Sequence, residues 1–118
     1  DLYGMIFTYV WMFDKESDWE YVKNLTQLFE SRGATVYYVE LKADLDERLE
    51  RNKTPNRLEH KPKKRDLEWS ENDLLETLEK HLLNSLDGEI PFENYIKIDN
   101  TNMSAEDVAR SIKNRFDF

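Results

Sequence analysis

The residues of this 118-residue chain that could do chemistry are concentrated in one basic segment, residues 48–65. Its eight basic side chains are Arg48, Arg51, Lys53, Arg57, Lys61, Lys63, Lys64 and Arg65, and its two acidic ones are Glu50 and Glu59. Planar guanidinium groups bind two phosphate oxygens at a time and can stack on a base, while lysines add point charges. In phosphoryl transfer, such groups neutralise the charge that builds on the migrating phosphate.

The rest of the chain is acidic. Outside the basic segment there are nine basic and 23 acidic residues, and the whole chain has a net charge of −8. A general nucleic-acid binder is basic over a face or a whole domain, so this balance argues against nucleic acid as the partner. A compact basic island in an acidic chain fits a pocket for a small polyanion. The alternative is a solvated, charged loop.

Length and composition predict one compact domain, residues 1–118, and not two. No stretch approaches the roughly 18 apolar residues of a membrane span, so no membrane partner is expected. No basic leader precedes an apolar segment, and we expect no signal peptide. The chain has no cysteine. It therefore has neither a disulfide framework nor a thiolate metal site, which suits the cytoplasm.

The elements that must position the basic segment alternate between strands and helices. Apolar runs predict three buried strands, at residues 3–13, 34–41 and 95–99. Capping residues ahead of apolar stripes predict four helices, beginning near Ser17, Asp44, Ser70 and Ser104. Residues 53–69 have no hydrophobic period and contain two prolines, which predicts a loop. The order β-α-β-α-loop-α-β-α predicts an α/β fold, a parallel sheet with helices on both faces.

Two of the predicted helices carry detailed expectations. The helix that begins near Ser70 should present a stripe of leucines as far as Leu86 and end at Asp87-Gly88. In the last helix, the side chains that should face the core are those of Val108, Ala109, Ile112 and Phe116.

Four stretches of the chain resemble the C-terminal part of a P-loop kinase. They are FTYVW, YYVELKADLDERLERN, NRLEHKPKKRDLEWS and YIKIDNTNMSAEDVA. Together they span nearly the whole chain, and they are similar to shikimate and nucleotide kinases and to small bacterial AAA-labelled ATPase-like proteins. The resemblance implies a partial P-loop NTPase-like fold with three strands in this chain. It also implies a cytoplasmic enzyme that transfers the γ-phosphoryl group of ATP to a small-molecule acceptor, with ATP and Mg²⁺ as cofactors.

The resemblance implies roles for individual residues. A lid over residues 53–69 would close on the ATP phosphates with the catalytic side chains of Arg57, Lys61, Lys64 and Arg65. Nucleotide-binding residues would be Arg48 and Arg51 beside adenine and phosphates, and Asp99, Asn100, Thr101 and Asn102 in the adenine loop. Thr8, Trp11 and Asp14 would lie near the carboxyl end of the predicted strand at residues 3–13 and contact the substrate. For Asp14 a plain loop acid, and for Trp11 a place in the core, remain open alternatives.

The chain departs from the family in one respect. Its glycines, Gly4, Gly33 and Gly88, are scattered, and none belongs to a G-x-x-x-x-G-K-[ST] loop, which holds the phosphates and magnesium in such kinases. Since the family's loop lies upstream and this chain begins with Asp1, we expect the C-terminal portion of a longer kinase domain. An intact small domain is the alternative.

Without the family's first strand, the strands at 3–13 and 34–41 would each expose an apolar edge. We therefore expect self-association or a missing N-terminal segment. The second hypothesis for function is a non-catalytic module that binds an anionic partner, RNA or an acidic protein, through the basic loop. Nothing in the sequence identifies the phosphoryl acceptor.

Overall fold

A computed structural model of the chain describes residues 20–80 and 84–117. In chain order, its elements are α1 (Glu20–Glu30), β1 (Tyr38–Lys42), α2 (Leu45–Asn52), α3 (Pro55–His60), a 3₁₀ helix η1 (Pro62–Arg65), α4 (Leu67–Lys80), β2 (Tyr95–Asp99) and α5 (Ala105–Phe116). The mixture of helices and strands predicted from the sequence is confirmed. The predicted strand at 3–13 and the helix start near Ser17 lie outside the described residues.

The two strands pair in parallel, with Tyr38 opposite Tyr95 and Lys42 opposite Asp99. The described residues thus hold a two-stranded sheet and not the predicted three strands. β2 has its predicted bounds, whereas β1 begins four residues later than expected, at Tyr38. Parallel strands need a crossover connection, and α2, α3, η1 and α4 supply it. Because the two carboxyl ends lie at the same edge, the start of α2 and the loop after β2 become neighbours.

The sheet has one apolar face and one polar face, because successive side chains of a strand alternate. Val39 and Leu41 share the apolar face with Ile96 and Ile98, which lie opposite them in the register. Ile98 is 6% exposed, whereas Val39 is 40% and Leu41 50% exposed. Burial on this face is therefore deepest at β2.

Residues 53–69 form short helices and not the predicted loop. The two prolines that suggested a loop, Pro55 and Pro62, stand in the first turns of α3 and η1. A proline costs little there, because its missing N–H would have no partner inside the helix. The basic segment is therefore a run of short helices that fixes the direction of each cationic side chain.

The predicted bounds of α4 are wrong at both ends. The helix begins at Leu67, and Asp66 Oδ1 accepts a hydrogen bond of 3.0 Å from the Trp69 amide, in the manner of an N-cap. Ser70, the predicted cap, is 2% exposed inside the helix. At the other end Ser85 is not helical, since its amide donates to Glu40, and Leu86 is 66% exposed.

The start of α2 and the cap of α5 agree with the sequence. α2 follows Asp44, although the Asp44 side chain makes no capping hydrogen bond. Ser104 Oγ accepts from the Asp107 amide at 3.1 Å, which confirms it as the N-cap of α5. On α5, Phe116 is partly buried, with its ring centroid 4.6 Å from that of Tyr37, whereas Ala109 is exposed and not inward as expected. None of the helices in the described part of the chain is long and apolar enough to cross a membrane.

Candidate functional site

A cleft of about 440 Å³ lies among α2, α3, η1 and α4. Four of the predicted site residues line it, and all four are basic: Arg48, Arg51, Arg57 and Lys64. Arg48 and Arg51 leave one face of α2 because they stand three residues apart on a helix. The turn between α2 and α3 then brings Arg57 back toward them. The structure thus brings four of the six predicted cations of the basic segment together at one cleft.

All three guanidinium nitrogens of Arg51 donate to protein acceptors. Its Nε donates to Glu47 Oε1 at 2.7 Å, its Nη1 to Asn100 Oδ1 at 2.9 Å, and its Nη2 to the Asn100 carbonyl at 2.6 Å. The guanidinium therefore ties α2 to the loop after β2, at the carboxyl edge of the sheet. Ligands of open α/β sheets bind at that edge, and the cleft adjoins it. Arg51 positions the cleft and has few donors left for a ligand.

Arg48 has a different environment. Its side chain is half-buried and makes no hydrogen bond or ion pair with the residues that the structure describes. Burial lowers the pKa of its guanidinium, yet an arginine remains protonated at neutral pH. A partly buried cation without a counter-charge is costly, and an anion in the cleft would remove that cost. Arg48 is therefore the strongest candidate for a ligand-binding residue.

The other two cations of the cleft differ in their partners. Lys64 forms an ion pair of 3.2 Å with Asp73 and lies over the Trp69 ring, with Nζ 5.3 Å from its centroid. Arg57 is exposed, and its side chain makes no hydrogen bond or ion pair within residues 20–80 and 84–117. Arg48 and Arg57 therefore supply the uncompensated positive charge of the cleft.

Two predicted lid residues do not line the cleft. Lys61 is exposed, and Arg65 uses its Nε to donate to the Leu58 carbonyl at 3.1 Å. Lys61 lies between α3 and η1, and Arg65 is the last residue of η1. The sequence correctly located the cationic segment but could not separate its inward-facing members from its outward-facing ones.

The predicted adenine loop lies beside Arg51 but is largely occupied by its own hydrogen bonds. Asp99 Oδ1 accepts from the Thr101 amide at 3.1 Å and from its hydroxyl at 2.6 Å, which lowers the pKa of Asp99. The Thr101 hydroxyl also accepts from the Asp44 amide at 3.0 Å. Only Asn102, which is exposed, has no side-chain bond of this kind in the described part. These hydrogen bonds join the loop after β2 to the segment that follows β1.

Three further predicted residues, Thr8, Trp11 and Asp14, lie outside the described residues. In residues 20–80 and 84–117, no group of three or more His, Asp or Glu side chains could hold a metal ion. We therefore assign no described residue to Mg²⁺.

A second cluster was missed from the sequence, and it centres on Glu40 of β1. Its Oε1 accepts from the Ser85 amide at 2.7 Å and from Asn84 Nδ2 at 3.0 Å. Its Oε2 accepts from Ser85 Oγ at 2.5 Å and from the Tyr95 hydroxyl at 2.6 Å. Burial opposes ionisation of Glu40, but these donors outweigh it and lower its pKa. Burial, with the bond to Glu40, raises the pKa of Tyr95 to about 12.

The signal for this cluster was a single acid, Glu40, in an apolar and aromatic strand. All four lone-pair directions of its carboxylate are used by protein donors, so it has little capacity for a ligand. Lys97 Nζ adds a bond of 2.7 Å to the Ser85 carbonyl. The cluster therefore fastens the segment after α4 to the polar face of the sheet.

Comparison of the chain with protein-family models, with curated proteins and with solved structures finds no significant match. The resemblance to P-loop kinases therefore stays a prediction from the sequence.

Proposed function

We propose that the basic cleft binds the phosphate groups of ATP, and that the chain is the lid-bearing part of a kinase-like phosphotransferase. The observation that carries this proposal is the half-buried Arg48 guanidinium, which faces the cleft without a counter-charge among the described residues. The P-loop kinase resemblance supplies the reaction, transfer of the γ-phosphoryl group to a small-molecule acceptor.

The charges of the cleft support a ligand with more than one negative group. Of its four cations, Arg51 is paired with Glu47 and Lys64 with Asp73. Arg48 and Arg57 remain for the ligand, and each guanidinium can bind two phosphate oxygens. Two such groups suit a di- or triphosphate better than a single carboxylate.

In this proposal each cation has a distinct role. Arg48 and Arg57 bind phosphate oxygens, and Arg51 keeps α2 in place against Asn100. Lys64 adds a further charge when an incoming phosphate competes with Asp73 for it. ATP supplies the phosphoryl group, and the described residues hold and orient its phosphates.

The test is isothermal titration calorimetry of the 118-residue chain with ATP, comparing the wild type with Arg48→Ala. Loss of one charge-assisted contact, about 1.5–3 kcal/mol, should weaken binding roughly ten- to hundredfold. Arg32→Ala is the matched control, because Arg32 is exposed and lies outside the cleft. Circular dichroism checks that both variants fold. Equal ATP affinity in the wild type and in Arg48→Ala would refute the proposal.

A non-catalytic binding module is the second candidate, favoured by the cations outside the cleft. Lys61, Lys63 and Arg65 are exposed and could extend the site to a larger polyanion, RNA or an acidic protein. A salt titration separates the two candidates. An oligonucleotide that contacts many cations loses affinity steeply with salt, while a nucleotide bound by two arginines loses much less.

A further inference from the structure

We infer that the cleft recognises phosphate groups and not a nucleoside base. The described residues should therefore bind an oligophosphate whatever group is attached to the phosphates. This inference rests on the proposed function, because it requires that the cleft bind phosphate at all. It goes further by naming which part of a nucleotide the chain recognises.

The walls of the cleft carry the first argument. Besides the four cations they present the amides of Asn52 and Asn56 and the hydroxyl of Thr54, and Leu74 supplies the apolar surface. Among residues 20–80 and 84–117, no aromatic side chain lines this cleft. Sites that hold a base use flat apolar or aromatic walls, since every base has a large π-face to cover. One leucine side chain covers only a small part of such a face.

The Trp69 ring, which contacts the cleft residue Lys64, is already engaged. Trp69 belongs to the first turn of α4 but does not line the cleft, and Lys64 Nζ lies over its ring. That lysine is also paired with Asp73, and its side chain is only 19% exposed. A base stacking on the same face of Trp69 would have to displace a largely buried cation from two partners.

The loop after β2 offers few groups to a base as well. The Oδ1 of Asn100, which could accept from the amino group of adenine, already accepts from Arg51. The Thr101 hydroxyl is used twice, as a donor to Asp99 and as an acceptor from the Asp44 amide. All three guanidinium nitrogens of Arg51 already donate to Glu47 or Asn100, so that edge is not open to the acceptor atoms of a base. The charged groups left in the cleft, those of Arg48 and Arg57, match phosphate oxygens.

The experiment compares ATP, GTP, inorganic tripolyphosphate and adenosine as ligands of the 118-residue chain, by calorimetry at one ionic strength and without Mg²⁺. We expect ATP, GTP and tripolyphosphate to bind within about threefold of one another, and adenosine to show no binding. An aromatic stack would make ATP roughly five- to hundredfold tighter than tripolyphosphate. Arg48→Ala should weaken all three phosphate ligands by a similar factor, with Arg32→Ala as the unchanged control.

The outcomes separate this inference from the proposed function. If ATP binds more than about threefold tighter than tripolyphosphate, or if adenosine binds alone, base recognition exists and the inference is overturned while the function stands. If none of the phosphate ligands binds, or if Arg48→Ala binds them all as tightly as the wild type, the proposed function fails and the inference fails with it.

Discussion

Replacement of Glu40 by alanine removes the acceptor at the centre of the cluster that fastens the segment after α4 to the sheet. Glu40→Ala deprives the Ser85 amide and hydroxyl, the Tyr95 hydroxyl and the Asn84 amide of their acceptor. Ser85 is only 6% exposed, so water cannot readily replace the bond to its amide. We therefore expect a large loss of stability from a residue that does not line the basic cleft.

The size of this loss follows from the four hydrogen bonds. A net value of about 0.5–1 kcal/mol each, at the low end because Glu40 is only half-buried, gives roughly 2–4 kcal/mol in total. At about 4 °C per kcal/mol for a chain of this length, the melting temperature should fall by roughly 8–16 °C. Tyr95→Phe removes one of the donors and should lower it by only about 4 °C.

The assay is thermal unfolding followed by circular dichroism, with Glu71→Ala as the matched control. Glu71 is an exposed acid of α4 without a hydrogen bond or ion pair to any described residue, so its loss should change the free energy of unfolding by less than about 0.5 kcal/mol. A Glu40→Ala protein that melts within about 2 °C of the wild type would show that the cluster does not hold the segment.

Acid should reproduce part of this effect in the wild type. The pKa of Glu40 is lower in the folded chain than its ordinary value of 4.5, so its ionised form stabilises the fold at neutral pH. That contribution is complete above the ordinary pKa and is lost as the pH falls through the lowered, folded-state value. Measured from about pH 5 downward, the stability gap between wild type and Glu40→Gln should therefore narrow. A gap that stays constant over this range would contradict the assignment.

Three further predictions concern the cleft and the caps. Arg51→Lys keeps the charge but loses the paired contacts to Asn100, so it should shift the amide NMR signal of Asn100 and weaken ATP binding several-fold; unchanged spectra would contradict the positioning role. Asp73→Asn releases Lys64, and it should tighten ATP binding by about two- to fivefold in calorimetry, since Asp73 is 44% exposed and an ion pair that water screens is worth about 0.2–1 kcal/mol. Ser104→Ala removes the cap of α5 and should cost about 1 kcal/mol in chemical unfolding, while Ser104→Gly should cost only a few tenths.

Much of the fold could be predicted because the signals were local. Ser104 with Asp107 three residues later is a capping pattern, and the apolar run from Tyr95 indicated β2. The errors came from signals with two meanings. Prolines mark both loops and first turns of helices, and two of them, Pro55 and Pro62, begin helices here. The early end of α4 depends on the long-range acceptor Glu40, which no local pattern announces.

The basic site was located from the sequence but not resolved, and Arg48 and Arg51 show why. Both stand on one face of α2, so helical spacing treats them alike. What separates them is Asn100, 49 residues beyond Arg51 in the chain, whose carbonyl and side chain accept from Arg51 and not from Arg48. That contact exists because parallel pairing places the end of β2 beside the start of α2. The fold therefore assigns one arginine to structure and leaves its neighbour available for an anion, and a ligand test must change Arg48 rather than Arg51.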